Sequence, residues 1–385
     1  MPAMNSMLSL FGVMGLIYLT DCVTWIKTRS FVFIFRFNRN WKTLDATPAF
    51  KTPVTGIRLL NPLPPLGKIY CCRLPALALA PIGIRPMDDS ADPPAKLTYK
   101  AIRDLEVKGR EIRINARRFC LCSDSVQAER IGGLVRAVWK ASAQNREGLI
   151  RAFWKNAFDE QAARARLTQA AKPLGSLLFL CNGLFIYLFV FSPLVVLVLG
   201  LPRLLIPLAA GMLALALQIA YAYFKLHKKL YREAGEDRIG NVIKMAVCPP
   251  VAVRACDLIT PDLLSDYHPL VVAHLLLTSD AYETFCQGTL RRLRYPLKTE
   301  TEAEADDISI WQNGALLTLI TEYIKHTTKI MDRTDVLPVP DQPENRAYCP
   351  RCLAQFTRSQ GDCSDCPGIP LQPFAKMRKI SAIRE

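Results

Sequence analysis

The chain has 385 residues, half of them hydrophobic, and a net charge of +15. That is too long for one small module and too apolar for a disordered basic tail. Thirteen cysteines, an odd number lying partly in apolar surroundings, exclude a secreted disulfide scaffold and fit a reducing compartment. The positive balance is the usual excess on the cytoplasmic side of a membrane protein. A nucleic-acid footprint is the second reading.

The first predicted element is Met7 to Ile26, apolar until Thr20, Asp21 and Thr24 crowd its end. No basic stretch precedes it and no small-residue cleavage site follows, so residues 1–29 are predicted to hold a membrane helix rather than a cleaved signal. Tyr18 and Trp25 suit a membrane interface. Residues 30–95 are rich in proline. Phe31 to Phe37 is predicted as a short strand or interfacial segment, Gly56 to Leu60 as a strand and Pro86 to Ala95 as a linker. Cys71 and Cys72 are adjacent and cannot comfortably face one metal. They are packing residues or lipidation sites.

Residues 96–172 are predicted as a small α+β module. Leu105 to Val107 and Arg110 to Ile114 alternate around Lys108-Gly109, a hairpin signal. Asp124, with Gln127 three residues on, is placed to cap a helix bearing Ile131, Leu134, Val135, Val138 and Trp139. A second helix is expected from about Glu147, carrying Phe153 and Trp154 and running almost into the membrane. Between Lys100 and Lys172 sixteen Lys and Arg stand against eight Asp and Glu, a net +8. The first reading makes Trp139 and Trp154 core and the charges a solvated face beside lipid headgroups; the second joins the two to bind nucleic acid.

Residues 173–225 hold the longest apolar run. Leu174 to Phe224 carries one formal charge, Arg203, and is long enough for two crossings of a hydrocarbon core about 30 Å thick. Gly200-Leu201-Pro202-Arg203 supplies the turn. Basic residues flank the run on both outer sides (Arg164, Arg166 and Lys172 before, Lys225, Lys228, Lys229 and Arg232 after). Together with Lys27, Arg29, Arg36, Arg39 and Lys42 they place the N-terminus outside and the bulk and C-terminus in the cytoplasm, in the inner or plasma membrane. Residues 226–333 are predicted mostly helical, with starts at Pro261-Asp262 and His268-Pro269. The acidic stretch Thr299 to Asp307 precedes a helix from Ile308 to Ile330. His268 and His274 are six apart, not a helical metal spacing, and are assigned structural roles. No P-loop, HExxH or nucleophile elbow occurs, so no catalytic residues are assigned.

Residues 334–346 form a proline-bearing linker, and residues 375–385 a basic tail. Between them lie Cys349-Pro350-Arg351-Cys352 and Cys363-Ser364-Asp365-Cys366. Two such pairs at short separation give four thiolates to one metal, with the intervening residues as a hairpin. Residues 347–374 thus resemble a zinc ribbon. The first knuckle departs from the commonest pattern, with Leu353 in place of glycine after Cys352, and in the second the glycine comes late, at Gly368. Phe356, Leu371 and Phe374 are its expected core. Structural Zn2+ is the expected ion, contributing on the order of 10 kcal/mol to folding, with a single iron as the alternative. A redox dithiol at Cys349 and Cys352 is disfavoured by the second pair.

The fold class expected is therefore a mainly α membrane protein. It has three transmembrane helices, a small α+β cytoplasmic module, a helical cytoplasmic region and a C-terminal zinc ribbon. The function expected is a non-enzymatic scaffold or adaptor, with membrane lipid and a protein as partners. A membrane-tethered nucleic-acid binder is the first alternative, and a membrane enzyme or transporter, with Cys181 and Asn182 as its deep polar groups, the second.

Overall fold

The computed structural model describes residues 2–26, 30–35, 44–50, 57–60, 68–73, 75–87, 96–122, 125–199, 204–231, 235–295, 306–328 and 338–374. Several expected features lie outside them. These are the Asp124 cap, the turn at Gly200 to Arg203, most of the Pro86 to Ala95 linker and of Thr299 to Asp307, the start of the 334–346 linker, and the basic tail. The chain forms two compact units, Met1–Leu276 and Leu277–Glu385.

The first unit opens with helix α1 (Pro2–Asp21). Strand β1 (Val23–Ile26) pairs antiparallel with β4 (Ile57–Leu60). Strand β2 (Ser30–Phe35) lies between β3 (Leu44–Phe50) and β5 (Lys68–Arg73). Cys71 and Cys72 sit on β5, and burial of both supports the packing reading. A continuous apolar run makes β6 (Leu77–Ala80) wholly buried. It pairs with β7 (Gly83–Pro86), which pairs with β8 (Leu97–Thr98).

The hairpin expected around Lys108-Gly109 forms as β9 (Leu105–Lys108) and β10 (Glu111–Ile114), with Gly109 at φ +58°. A third strand, β11 (Arg117–Leu121), follows a two-residue turn at Asn115 and Ala116, both left-handed. The Asn115 side chain makes that turn tolerable. Its Oδ1 accepts from Arg103 N at 2.8 Å, and its Nδ2 donates to Ala101 O at 2.9 Å. Helix α2 (Ser125–Lys140) lays Ile131, Val135 and Val138 into the core, and α3 (Ala143–Asn156) buries Ile150 and Trp154.

The helix beginning near Glu147 does not continue towards the apolar run. It ends at Asn156, and α4 (Glu160–Ile186) starts afresh with Asp159 as its cap, accepting from Ala162 N at 2.9 Å. The break is held by His268, whose backbone N–H donates to Ala157 O at 2.8 Å. After Ile186 a π-turn over Tyr187–Phe191 leads into α5 (Ser192–Leu199). Pro193 explains it, because a proline lacks the helical donor and crowds the preceding turn. The Ser192 hydroxyl donates to Tyr187 O at 2.7 Å.

Helix α6 (Leu205–Leu230) packs back on α4. Tyr187 OH donates to Leu208 O at 3.0 Å and lies over Gly211, where a Cβ would come within 2.6 Å of that oxygen. Among the described residues two helices, Glu160–Val196 and Ile206–Leu230, are long and apolar enough to cross a membrane. The N-terminal segment, expected as a third crossing, contributes the shorter apolar stretch Phe11–Thr20 among the described residues. One face of the pair is buried through Leu177, Cys181, Leu184, Leu188, Ala216, Ile219 and Tyr223, while Phe179, Val198 and Ile206 point outward.

Helix α7 (Gly235–Val247) turns back along α6 and leads into the single turn α8 (Pro249–Ala252), which packs against α1, α4 and α6. A 3₁₀ turn over Ala255–Leu258, α9 (Thr260–Leu263) and α10 (Pro269–Leu276) complete the unit. The helix starts read at Pro261 and His268-Pro269 fall where expected.

The second unit contains α11 (Ser279–Arg294) and α12 (Asp307–Thr327). Asp306 caps α12, accepting from Ile308 N at 2.7 Å and Ser309 N at 3.2 Å. The hydroxyls of Tyr282 and Thr327 meet at 2.7 Å and tie the two helices together. Strands β12 (Ala347–Tyr348), β13 (Gln355–Phe356) and β14 (Gln372–Pro373) form a small antiparallel sheet in the order β13-β12-β14.

Candidate metal centre

The short strand β12 delivers Cys349 to the start of a knuckle. Cys349 N donates to Ala354 O and Leu353 N donates back to Cys349 O, both at 2.9 Å. This closure needs a left-handed residue after Cys352. Leu353 takes it, at φ +63°, in the place where a glycine is commoner. The second knuckle also bonds the first cysteine's N–H to a carbonyl beyond the second cysteine, but its return bond ends on the second cysteine rather than the first. Cys363 N donates to Ile369 O at 2.9 Å and Ile369 N to Cys366 O at 3.1 Å. Here Pro367 follows the last cysteine and cannot take positive φ, so the left-handed residue falls one place later, at Gly368, φ +78°. The late glycine of the sequence is thus a consequence of the proline.

The two knuckles bring together all four predicted ligands. The sulfurs of Cys349, Cys352, Cys363 and Cys366 all lie within 4.8 Å of one another, and those of Cys352 and Cys363 are 3.7 Å apart. Zinc–sulfur bonds of about 2.3 Å in a tetrahedron put neighbouring sulfurs about 3.8 Å apart. The cluster therefore fits a four-coordinate metal, and the four cysteines could hold one. Cys349, Cys363 and Cys366 are buried, and Cys352 is exposed.

Burial raises the Cys349 thiol, but the backbone N–H groups of Cys352 and Arg351 outweigh it and leave the group below its ordinary range. Though the residue is exposed, partial desolvation of its sulfur and then the neighbouring Cys349 and Cys363 push the Cys352 thiol up to about 11. A bound cation would reverse that, since coordinated thiols are deprotonated. Arg291, depressed by burial and then by Arg292, places a cationic group near Cys352.

The core around the cysteine cluster comprises Ala347, Cys349, Cys363, Cys366, Ile369 and Leu371, with Phe356 packed against it. Of the expected core, Phe356 and Leu371 take their places. Phe374 instead lies tilted against Tyr348, ring centroids 5.3 Å apart. Tyr295, at the end of α11, also packs on this core, and its carbonyl accepts from Arg351 Nη1 at 2.6 Å. The four-cysteine segment thus rests on α11 of its own unit and, through Gln355, on Val339, Asp341 and Asn345 before it. Nothing in the sequence marks Tyr295, since the contact joins residues far apart in the chain.

His268 and His274, six apart in sequence, pack against different partners. The His268 ring stacks on Phe158 with centroids 4.4 Å apart and accepts from Leu270 N at 3.3 Å, and burial pushes its pKa down to about 3. His274 Nδ1 lies 2.9 Å from the Glu160 carboxylate. Cys181 donates to Ala252 O at 3.5 Å inside the core. Trp154 is buried, so its ring is not presented for stacking on a base. Comparison with protein-family models, with curated protein sequences and with solved structures finds no match to this chain.

Proposed function

We propose that the chain is an integral membrane protein, held by the Leu174 to Phe224 hairpin, whose C-terminal unit is a zinc-stabilised scaffold or adaptor surface on the cytoplasmic side. The observation that carries this reading is the four-thiol cluster. Four protein thiolates fill a tetrahedral shell and leave no position for water or substrate, so the metal builds structure rather than chemistry. A redox-inert ion that accepts tetrahedral thiolates without preference suits such a closed site, which favours zinc over iron. The outward apolar side chains of α4 to α6, and the basic residues beyond both ends of the run, support the membrane anchor and its orientation.

The test uses the full chain in lipid nanodiscs, beside a Cys363→Ser, Cys366→Ser double variant. Elemental analysis is expected to find one zinc per chain in the first and none in the second. Iron, or no metal, overturns the zinc assignment. Cross-linking in intact cells followed by mass spectrometry is expected to identify a partner that the variant loses while staying in the membrane fraction. A partner set unchanged by loss of the metal overturns the ribbon's role in recruitment.

A further inference from the structure

We propose that residues 238–258 form a re-entrant segment, which enters the bilayer beside α6 and leaves on the same side, with Ile239, Ile243 and Val247 against lipid acyl chains. This rests on reading the α4 to α6 hairpin as membrane-spanning. It departs from the sequence reading, which places everything after Lys225 in the cytoplasm.

The direction of α7 is fixed by two contacts. The Arg238 guanidinium lies 5.4 Å from the centre of the Phe224 ring, and Asn241 Nδ2 donates to Tyr223 OH at 3.0 Å. The helix therefore starts where the apolar run of α6 ends. It then packs along α6 towards the middle of the hairpin, with Met245 buried. The following turn reaches Cys181, which donates to Ala252 O. Cys181 lies about 10 Å past Leu174, where the apolar run begins, at 1.5 Å per residue. The α7–α8 corner thus stands at the depth of the hairpin's own apolar side chains.

Its surface is divided as hydrocarbon requires. Ile239, Ile243 and Val247 recur every four residues and are 56, 56 and 79% exposed, a stripe on one face of α7. On α6, Leu213 and Leu217 are also exposed, so apolar surface occurs on both helices at this level. The irregular backbone is kept away from the outside, as membrane depth demands. Ala252, Val253, Ala255, Cys256 and Ile259 are buried, and Val251, Arg254, Asp257 and Ile259 each donate to the carbonyl three residues back. The charged pair of this loop, Arg254 and Asp257, is ion-paired at 2.5 Å and almost wholly buried. Lys244 is exposed on α7. Helical side chains lean towards the helix N-terminus, here the membrane surface, so its ammonium can reach the headgroups.

The test places a benzophenone amino acid in the full chain, reconstituted in phosphatidylcholine nanodiscs, and reads single-phospholipid adducts by intact mass after illumination. The positions are Val247 and Ile243 for the proposal, Phe179 for the hairpin and the exposed Ala152 of α3 as solvent control. Adducts at Val247 and Ile243 are expected at a yield comparable with Phe179 and about tenfold above Ala152. Adducts at Phe179 without adducts at Val247 and Ile243 overturn the re-entrant segment and leave the hairpin standing. Absence at all positions overturns both. Equal yields at Val247 and Ala152 also overturn the proposal, since labelling would then not follow depth.

Discussion

Around Cys181 the chain is held by large apolar side chains meeting across helices, with Leu177, Leu184, Leu188, Ile219 and Tyr223 all buried. Around Cys363 the buried cluster contains only two larger aliphatic side chains, Ile369 and Leu371, and half of its members are cysteines. The first region keeps its cysteine thiol as one more packing atom. The second gathers four thiols within 4.8 Å of one another. The same residue type therefore does opposite work, and what decides is the surrounding apolar surface. Where helices supply it, a thiol is a small hydrophobe. Where two-residue strands cannot, thiols gathered at one point can hold a metal that stands in for a core.

Removing the metal should break this comparison most sharply. Chelation, or Cys349→Ser, is expected to cost the ribbon on the order of 10 kcal/mol and unfold residues 338–374. Limited proteolysis would show cleavage there, while the helical signal of α4 and α6 persists. A ribbon that stays protease-resistant without metal would mean that Ile369, Leu371 and Phe356 suffice.

Acid separates the regions by a different group in each. Metal binding needs deprotonated thiols, so falling pH is expected to release an ion held by the four cysteines. In the first unit the group is His268, with a pKa pushed down to about 3 by burial. The unfolded chain takes up that proton near pH 6.5 and the folded one does not. Its contribution is whole above pH 6.5 and is lost as pH falls towards 3, at a slope approaching about 1.4 kcal/mol per pH unit. Thermal unfolding of His268→Phe in nanodiscs is expected to show a flatter dependence over that window. An unchanged slope would clear His268 of the role.

Adjacent glycines on α2 test packing at a finer scale. A Cβ at Gly132 would lie 2.4 Å from Val107 Cγ2 on β9, whereas at Gly133 it would meet nothing within 4 Å. Gly132→Ala is expected to destabilise by about 1–3 kcal/mol through overpacking. Gly133→Ala should stabilise by up to about 1 kcal/mol through helix propensity. Equal effects would show that the sheet moves away from the helix at little cost.

What the sequence made legible follows the same division. The clustering of the four cysteines, the hairpin at Lys108-Gly109 and the two long apolar helices were readable because each depends on near neighbours: spacing, a turn dipeptide, an unbroken apolar run. Strand β11 was missed because Asn115-Ala116 lacks the glycine that usually signals such a turn. Its left-handed backbone is stabilised by Asn115 bonds to residues 101 and 103. The fresh start of α4 was missed because the interruption is held by His268, more than a hundred residues away. Tyr295 under the ribbon and the return of α7 along α6 are also tertiary facts. No local pattern encodes them, though Pro249-Pro250 does mark where α7 must stop.

The smallest expected effects compare the two knuckles with each other. Both need one left-handed residue, which costs about 1–2 kcal/mol for a residue with a Cβ and nothing for glycine. Gly368 already meets that need, so Gly368→Ala should weaken metal binding by about 1 kcal/mol, or roughly fivefold. Leu353 carries the strain in the native chain. Leu353→Gly relieves it but makes the unfolded chain more flexible, so the net gain should be only about 0.5 kcal/mol, or roughly twofold tighter binding. Competition with a chromogenic chelator at fixed pH measures both. Opposite signs at the two positions would establish that each knuckle turns on its one left-handed residue. Loss of affinity on Leu353→Gly would mean instead that packing of the leucine side chain outweighs its backbone cost, and that the first knuckle owes its shape to the small core it covers.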